Sequence, residues 1–150
     1  MAANTTPFNT FKSYLMVGSG SSTITYSKLV DIKEIPDLGQ APATLDATTL
    51  SDPAHVYIFD IEDTGGSFEF TANYTKADFT TVKALEGTEQ KLAVWFGATE
   101  SGGVFTPSGD DGKFPFTGFV TVYKKGASVS GVQEMGIVVS PTSLPELETA

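Results

Sequence analysis

The chain has 150 residues and a mass of 15.8 kDa, the size of one domain with room for a genuine core. Its formal charge is −9, which excludes a protein that grips nucleic acid through its phosphates, because that grip needs clustered Lys and Arg. It has no cysteine, which excludes disulfide staples and thiolate metal sites. Apolar runs such as 14–17 are too short to span a bilayer. Eleven Phe and five Tyr, with abundant Thr and Val, favour strands.

Residues 1–12 are mostly small and polar, and form an N-terminal arm in which Phe8 and Phe11 are candidate anchors on a neighbour. This start has no basic cluster and no apolar run, so no signal peptide is expected, and synthesis and assembly are expected in the cytoplasm. A short strand covers 13–17, and GSGS opens the turn after it. Residues 28–34 predict a second strand, with Val30 and Ile32 on one face and Asp31 and Lys33 on the other. Residues 35–55 then show neither a helical nor a strand period. They carry Ile35, Leu38, Leu45 and Leu50, so they are not a flexible Gly/Ser linker. A long apolar-bearing loop of this kind predicts a segment ordered by another chain.

Residues 56–63, a turn at Thr64-Gly65-Gly66 and residues 67–73 predict a hairpin. On its return strand Phe68, Phe70 and Ala72 form a buried face, with Ser67, Glu69, Thr71 and Asn73 wet. Residues 75–85 predict the helix: Thr75 is the N-cap, Asp78 sits near the positive end, and Tyr74 staples to Phe79. Phe79, Val82 and Leu85 form its apolar stripe, and Gly87 stops it.

A strand at 90–97 places Leu92, Val94 and Phe96 on one face and Trp95 on the other. Residues 99–112 are Gly-, Ser- and Asp-rich and predict a loop with turns at 101–103 and 109–112. A long strand at 113–124 turns Phe114, Phe116, Val120 and Val122 inward, and Pro115 predicts an edge there. After a turn at 124–127, residues 132–139 form the last strand, and 140–150 form an acidic, proline-broken C-terminal arm. Seven or so strands, one helix and no βαβ alternation predict a mainly β chain: a two-sheet antiparallel β-sandwich or barrel with one flanking α-helix, a single domain over 1–150.

The residues offer little chemistry. His55 is the only histidine; Ser51 and Asp52 are near it in sequence, but no nucleophile elbow accompanies them. Asp60, Glu62 and Asp63 form a solvated acidic face without EF-hand spacing, and Asp110-Asp111-Gly112 is turn chemistry. Gly18-Ser19-Gly20 lacks the rest of a phosphate-binding loop, and Lys124-Lys125 is too small a patch to bind nucleic acid. No catalytic residue, metal site or cofactor is expected. Trp95, Phe119 and Tyr123 lie opposite the main apolar stripes, where they serve packing or a subunit contact.

The succession LVDIKEI, IPDLGQAPATLDATTLSD, VYIFDIEDTGGSFEFTANY and a short helix resembles the major tail tube proteins of long-tailed bacteriophages. The matching elements are Ile35-Pro36-Asp37-Leu38-Gly39, Pro42, Leu45-Asp46-Ala47-Thr48, Leu50-Ser51-Asp52 and Phe68-Glu69-Phe70, in a similarity of pattern and order over 13–139. The resemblance implies a non-enzymatic virion protein, assembled in the bacterial host, whose hexameric rings stack into the conduit for genome delivery. It implies that 35–55 is an inter-subunit loop, with Ile35, Pro36, Asp37, Leu38, Gly39, Leu45 and Leu50 in ring stacking. Phe8, Phe11, Leu144 and Leu147 would be arm contacts. The implied partners are other copies of the chain, a tape-measure protein, tail terminator and distal tail or baseplate proteins, and double-stranded DNA that passes without specific binding; no membrane insertion is implied. Two alternatives stay open: the tube of a contractile tail or type VI secretion-like system, and a monomeric β-sandwich that binds glycan or a receptor through Trp95 and Tyr123.

Overall fold

A computed structural model describes residues 11–148. Nine strands and one helix follow in the order β1 (Ser13–Ser19), β2 (Thr25–Val30), β3 (Ile32–Glu34), β4 (Thr44–Asp46), β5 (Tyr57–Phe59), β6 (Phe68–Asn73), α1 (Lys76–Lys83), β7 (Glu89–Ser101), β8 (Val104–Lys124) and β9 (Glu134–Pro141). Seven of the strands form one antiparallel sheet in the order β2-β1-β7-β8-β9-β6-β3, and β4 and β5 pair only with each other.

The two edge strands of the large sheet, β2 and β3, are separated in sequence by Asp31 alone. One extended segment therefore supplies both edges, and the sheet must curl until they meet. Through β1 and β7, Val30 aligns with Phe114 of β8. Through β6 and β9, its near neighbour Ile32 aligns with Lys124 at the far end of the same strand. A stagger that large tilts the strands steeply and flattens the closed sheet into two facing layers, the predicted sandwich or barrel.

The core lies between the layers. Leu15, Leu92, Val94 and Phe116 come from one side, and Phe68, Phe70, Ile137 and Val139 from the other, all buried. Phe68 and Phe116 meet edge to face at 5.4 Å. The helix flanks β8 and adds Val82, which is wholly buried. Its N-cap is the one the sequence predicts, while the helix ends at Lys83 with Ala84 as its C-cap, short of the predicted Leu85. The Asp78 N–H donates to Thr75 Oγ1 at 3.1 Å, Tyr74 packs on Phe79 at 5.7 Å, and Gly87 takes φ 93° just beyond. Beyond the last β7 partner, the Val122 N–H donates to the Glu86 carboxylate at 3.2 Å, so the helix terminus completes what the ladder leaves open.

Three expectations are corrected. Residues 56–73 do not form a hairpin: β5 pairs with β4, while β6 sits between β9 and β3. The turn at Thr64-Gly65-Gly66 is real, with φ 85° and 89° at its glycines, but it separates the two strands instead of joining them. Thr71, expected to be wet, is buried between β3 and β9, where Lys125 Nζ reaches its hydroxyl at 3.2 Å. Residues 99–112 are not a loop. β7 and β8 continue as a paired ribbon to a turn at Gly102-Gly103, and residues 108–111 bulge out opposite Gly97. At φ 103° Gly97 needs to be glycine, and a Cβ there would meet the backbone of Asp111 at 3.1 Å. Pro115 lies just past the end of the β8–β9 ladder, which agrees with the local edge predicted for it.

This division between core and ribbon gives a direct test. Phe70 is 0% exposed and Phe59 74% exposed. Phe70→Ala should cost about 3–5 kcal/mol in a denaturant titration of the monomer, and Phe59→Ala less than about 0.5 kcal/mol. A large loss in Phe59→Ala would mean that the β4–β5 ribbon packs on its own core.

Candidate functional site

Residues 35–55 split into two parts. Ile35 and Leu38 are half-buried against the core, as is Pro36 in the chain, while Asp37 stays exposed and Gly39 turns the chain at φ 118°. Beyond them the chain leaves the body as the β4–β5 arm. Leu45, Tyr57, Ile58 and Phe59 are all exposed on it, Ile61 is 86% exposed, and Leu50 at its tip is wholly exposed.

Hydrogen bonds within the arm hold its backbone. The Asp60 N–H donates to the Ala43 carbonyl at 2.7 Å and Ala47 N–H to Val56 at 2.8 Å. At the tip the Thr49 N–H and hydroxyl both donate to Asp52, at 2.7 and 3.1 Å, and the Val56 N–H donates to Thr48 Oγ1 at 2.8 Å. The Thr48 N–H donates to Asp46 at 2.9 Å; the Thr48 hydroxyl first, and this N–H second, hold the Asp46 carboxyl below its usual range. These are turn and capping bonds that fix a backbone without a core.

His55 lies 3.4 Å from Thr48 Oγ1 and 3.8 Å from Asp46, and stacks on Tyr57. Hydroxyl and carboxylate approach the same ring nitrogen, Nδ1. A nucleophilic relay needs them on opposite nitrogens, so this trio is a hairpin brace. Among the described residues no group of three His, Cys, Asp or Glu side chains could hold a metal ion.

At the base of the arm an open cleft of about 260 Å³ lies against the C-terminal arm. Leu38, Pro42, Leu144 and Pro145 are apolar in its lining, and Glu62, Asp63 and Glu146 are acidic. The C-terminal arm folds back on its own chain: the Thr142 N–H donates to Thr117 and the Glu148 N–H to Lys113, both at 2.8 Å. Leu144 is thereby half-buried, and Leu147 stays 55% exposed. Phe11 packs on Phe105 at 5.3 Å, with Lys12 over both rings. Phe8 lies outside the described residues.

The second ribbon, the outer part of β7–β8 with Val104 and Phe105 exposed, is the surface the sequence did not reveal. Its only signal was alternation in Val104, Thr106 and Ser108, masked by turn-forming glycines. Trp95 and Tyr123 do not share a platform. Lys113 covers Trp95 at 4.2 Å, while Tyr123 stands at the other end of β8 over Gly136.

That other end carries a polar network. The Tyr123 hydroxyl donates to Glu69, Lys125 lies 3.5 Å from the same carboxylate, and Lys33 pairs with Glu134. A Cβ on Gly136 would meet the Tyr123 ring at 2.5 Å, so the glycine makes room for it. The Tyr123 bond, with Lys125 second to it, holds the Glu69 carboxyl below its usual range and pushes the Tyr123 phenol up. No family model matches the chain, and no curated protein matches it.

Two limbs of a stability profile follow. The lowered Glu69 carboxyl stabilises the fold above its ordinary value of 4.5, and this contribution vanishes as pH falls through the lower folded value. The raised Tyr123 phenol contributes below its ordinary value of 10.0, and is lost as pH rises through the higher folded value. The difference in melting temperature between the wild type and Tyr123→Phe should be largest between those limits and shrink outside both. A difference independent of pH would show that the bond does not form.

Proposed function

We propose that this chain is a structural protein that assembles with itself into hexameric rings, stacked as the tail tube of a long-tailed bacteriophage and forming the conduit for its genome. The observation that carries the reading is the β4–β5 arm. It stands clear of the core and exposes Leu45 and Ile58 on one face, Phe59 on the other, Leu50 at its tip and Ile61 at its root. A two-stranded ribbon alone is marginally stable in water, and clustered exposed apolar side chains mark interaction surfaces. Burying each such side chain in a neighbour stabilises the assembly by about 1.5–3 kcal/mol before ordering costs. The resemblance in 13–139 supports the ring and tube geometry; the segment it assigns to stacking, 35–55, overlaps the arm and shares Leu45 and Leu50 with it.

The remaining assignments come from the same resemblance. The partners are further copies of the chain, the tape-measure protein and the tail terminator and distal tail or baseplate proteins. A charge of −9 suits a conduit wall, because acidic side chains repel phosphate and DNA does not stick. The role is non-enzymatic, in the virion tail. The tube of a contractile tail or a type VI-like system would use the same assembly logic.

The arm can be removed cleanly, since Ala43 and Asp60 are hydrogen-bonded neighbours at its root. Replacing residues 43–60 with two glycines should leave the melting temperature within a few degrees of the wild type and abolish tubes in negative-stain electron microscopy. Long tubes from the deleted chain would refute the role given to the arm.

A further inference from the structure

The layer formed by β3, β6, β9 and the C-terminal half of β8 has two unlike ends. At one end Asn73 pairs with Glu134 and Lys124 with Met135, and the β8–β9 connection projects from there. At the other end Phe68 pairs with Val139 and Gly118 with Pro141. The arm is rooted there, and so is the cleft between it and the C-terminal arm.

The projecting connection is a knob. Its root is closed by the Lys125 N–H donating to Glu134 at 3.0 Å, and its tip by the Gly131 N–H donating to Ser128 at 3.3 Å. Val129 is wholly exposed and Val132 is 65% exposed. Lys124 and Lys125 stand at its base, where Lys124 Nζ reaches Gln133 and Lys125 lies 3.5 Å from Glu69, and residues 126–133 carry no carboxylate. The cleft is its converse. It has an apolar floor in Leu38, Pro42, Leu144 and Pro145, an acidic rim in Glu62, Asp63 and Glu146, and no lysine in its lining. In the sequence no Lys or Arg occurs between Lys33 and Lys76, so the segment that carries Glu62 and Asp63 supplies no cation to this rim.

Resting on the self-assembly reading above, we infer that the β8–β9 knob of one copy inserts into the acidic cleft of a second. Val129 and Val132 meet the apolar floor, and Lys124 and Lys125 meet the acidic rim. Opposite charges and matched apolar surfaces set the register, and the rim charges mainly govern specificity and association rate. Because knob and cleft lie at opposite ends of one layer, the contact is head to tail. Each copy keeps one unused end, and the contact propagates from copy to copy or closes a ring; it cannot stop at a symmetric pair.

The test uses the full chain and sedimentation velocity across a concentration series, with electron microscopy. Lys124→Glu with Lys125→Glu, and separately Glu62→Lys with Asp63→Lys, should each raise the concentration needed for assembly by at least about tenfold. An equimolar mixture of the two variants should recover assembly, since it presents one wild-type contact and one charge-reversed contact. Val129→Asp, at a position without a packing role in the monomer, should weaken assembly to the same degree while leaving the melting temperature unchanged. The chain has no cysteine, so Val129→Cys with Pro42→Cys should give a disulfide ladder between copies on mild oxidation. If the wild type assembles while the charge variants and Val129→Asp assemble equally well and no ladder forms, the knob-and-cleft contact is wrong and self-assembly stands. If the wild type remains a monomer at every concentration, both readings fall.

Discussion

The fold depends on three residues, Val30-Asp31-Ile32, where one extended segment stops pairing with β1 and begins pairing with β6. Val30 points into the core and is buried; Asp31 is exposed and holds Lys28 at 2.8 Å. The segment changes partner without leaving the sheet, so the sheet curls until its two edge strands follow one another in the chain. β2 pairs only with β1 and β3 only with β6, so the outer sides of this one segment still present backbone groups that can pair with another chain. The two ribbons, β4–β5 and the outer part of β7–β8, present further unpaired ladder groups away from the body.

This arrangement separates two requirements that conflict in a single surface. The core needs dense apolar packing, which Phe68, Phe70, Leu92 and Ile137 supply between the layers. Association needs apolar side chains that stay reachable, and on the β4–β5 arm such side chains are held out by bonds among Thr48, Thr49, Asp46 and Asp52. Polar bonds within a tight turn can order a short ribbon because each fixes backbone that would otherwise cost entropy on contact. The arm's backbone is therefore fixed before any contact is made.

The local features were legible in the sequence. The helix, its Thr75 cap and its Tyr74–Phe79 staple depend on neighbours within a few residues, and so does the alternation of Phe68, Phe70 and Ala72. Partner choice was not legible. The turn at Thr64-Gly65-Gly66 has the chemistry of a hairpin, yet β6 finds β9, far along the chain, because its two buried phenylalanines need the core. The β7–β8 ribbon was hidden because Gly, Ser and Asp mark loops unless an extended partner strand captures them. At the arm the apolar residues were visible, but no periodicity separates Ile35 and Leu38, which pack down, from Leu45 and Leu50, which stand out. Side-chain bonds to the backbone decide that division, and hydropathy does not register them.

The order of the strands also governs when the chain can fold during its synthesis. β1 waits for β7, and β6 waits for β9, which fills the gap between β6 and β8. Until β9 has left the ribosome, β6 and β8 expose edges lined with Phe68, Phe70 and Val120, the segments most prone to mispair with another nascent chain. β1–β2, β4–β5, β7–β8 and β8–β9 can form from nearby sequence, whereas β1–β7, β6–β9 and β3–β6 cannot. Synthesis of many copies on one polysome thus places a kinetic premium on rapid capture of β9, before the open halves of neighbouring chains find each other.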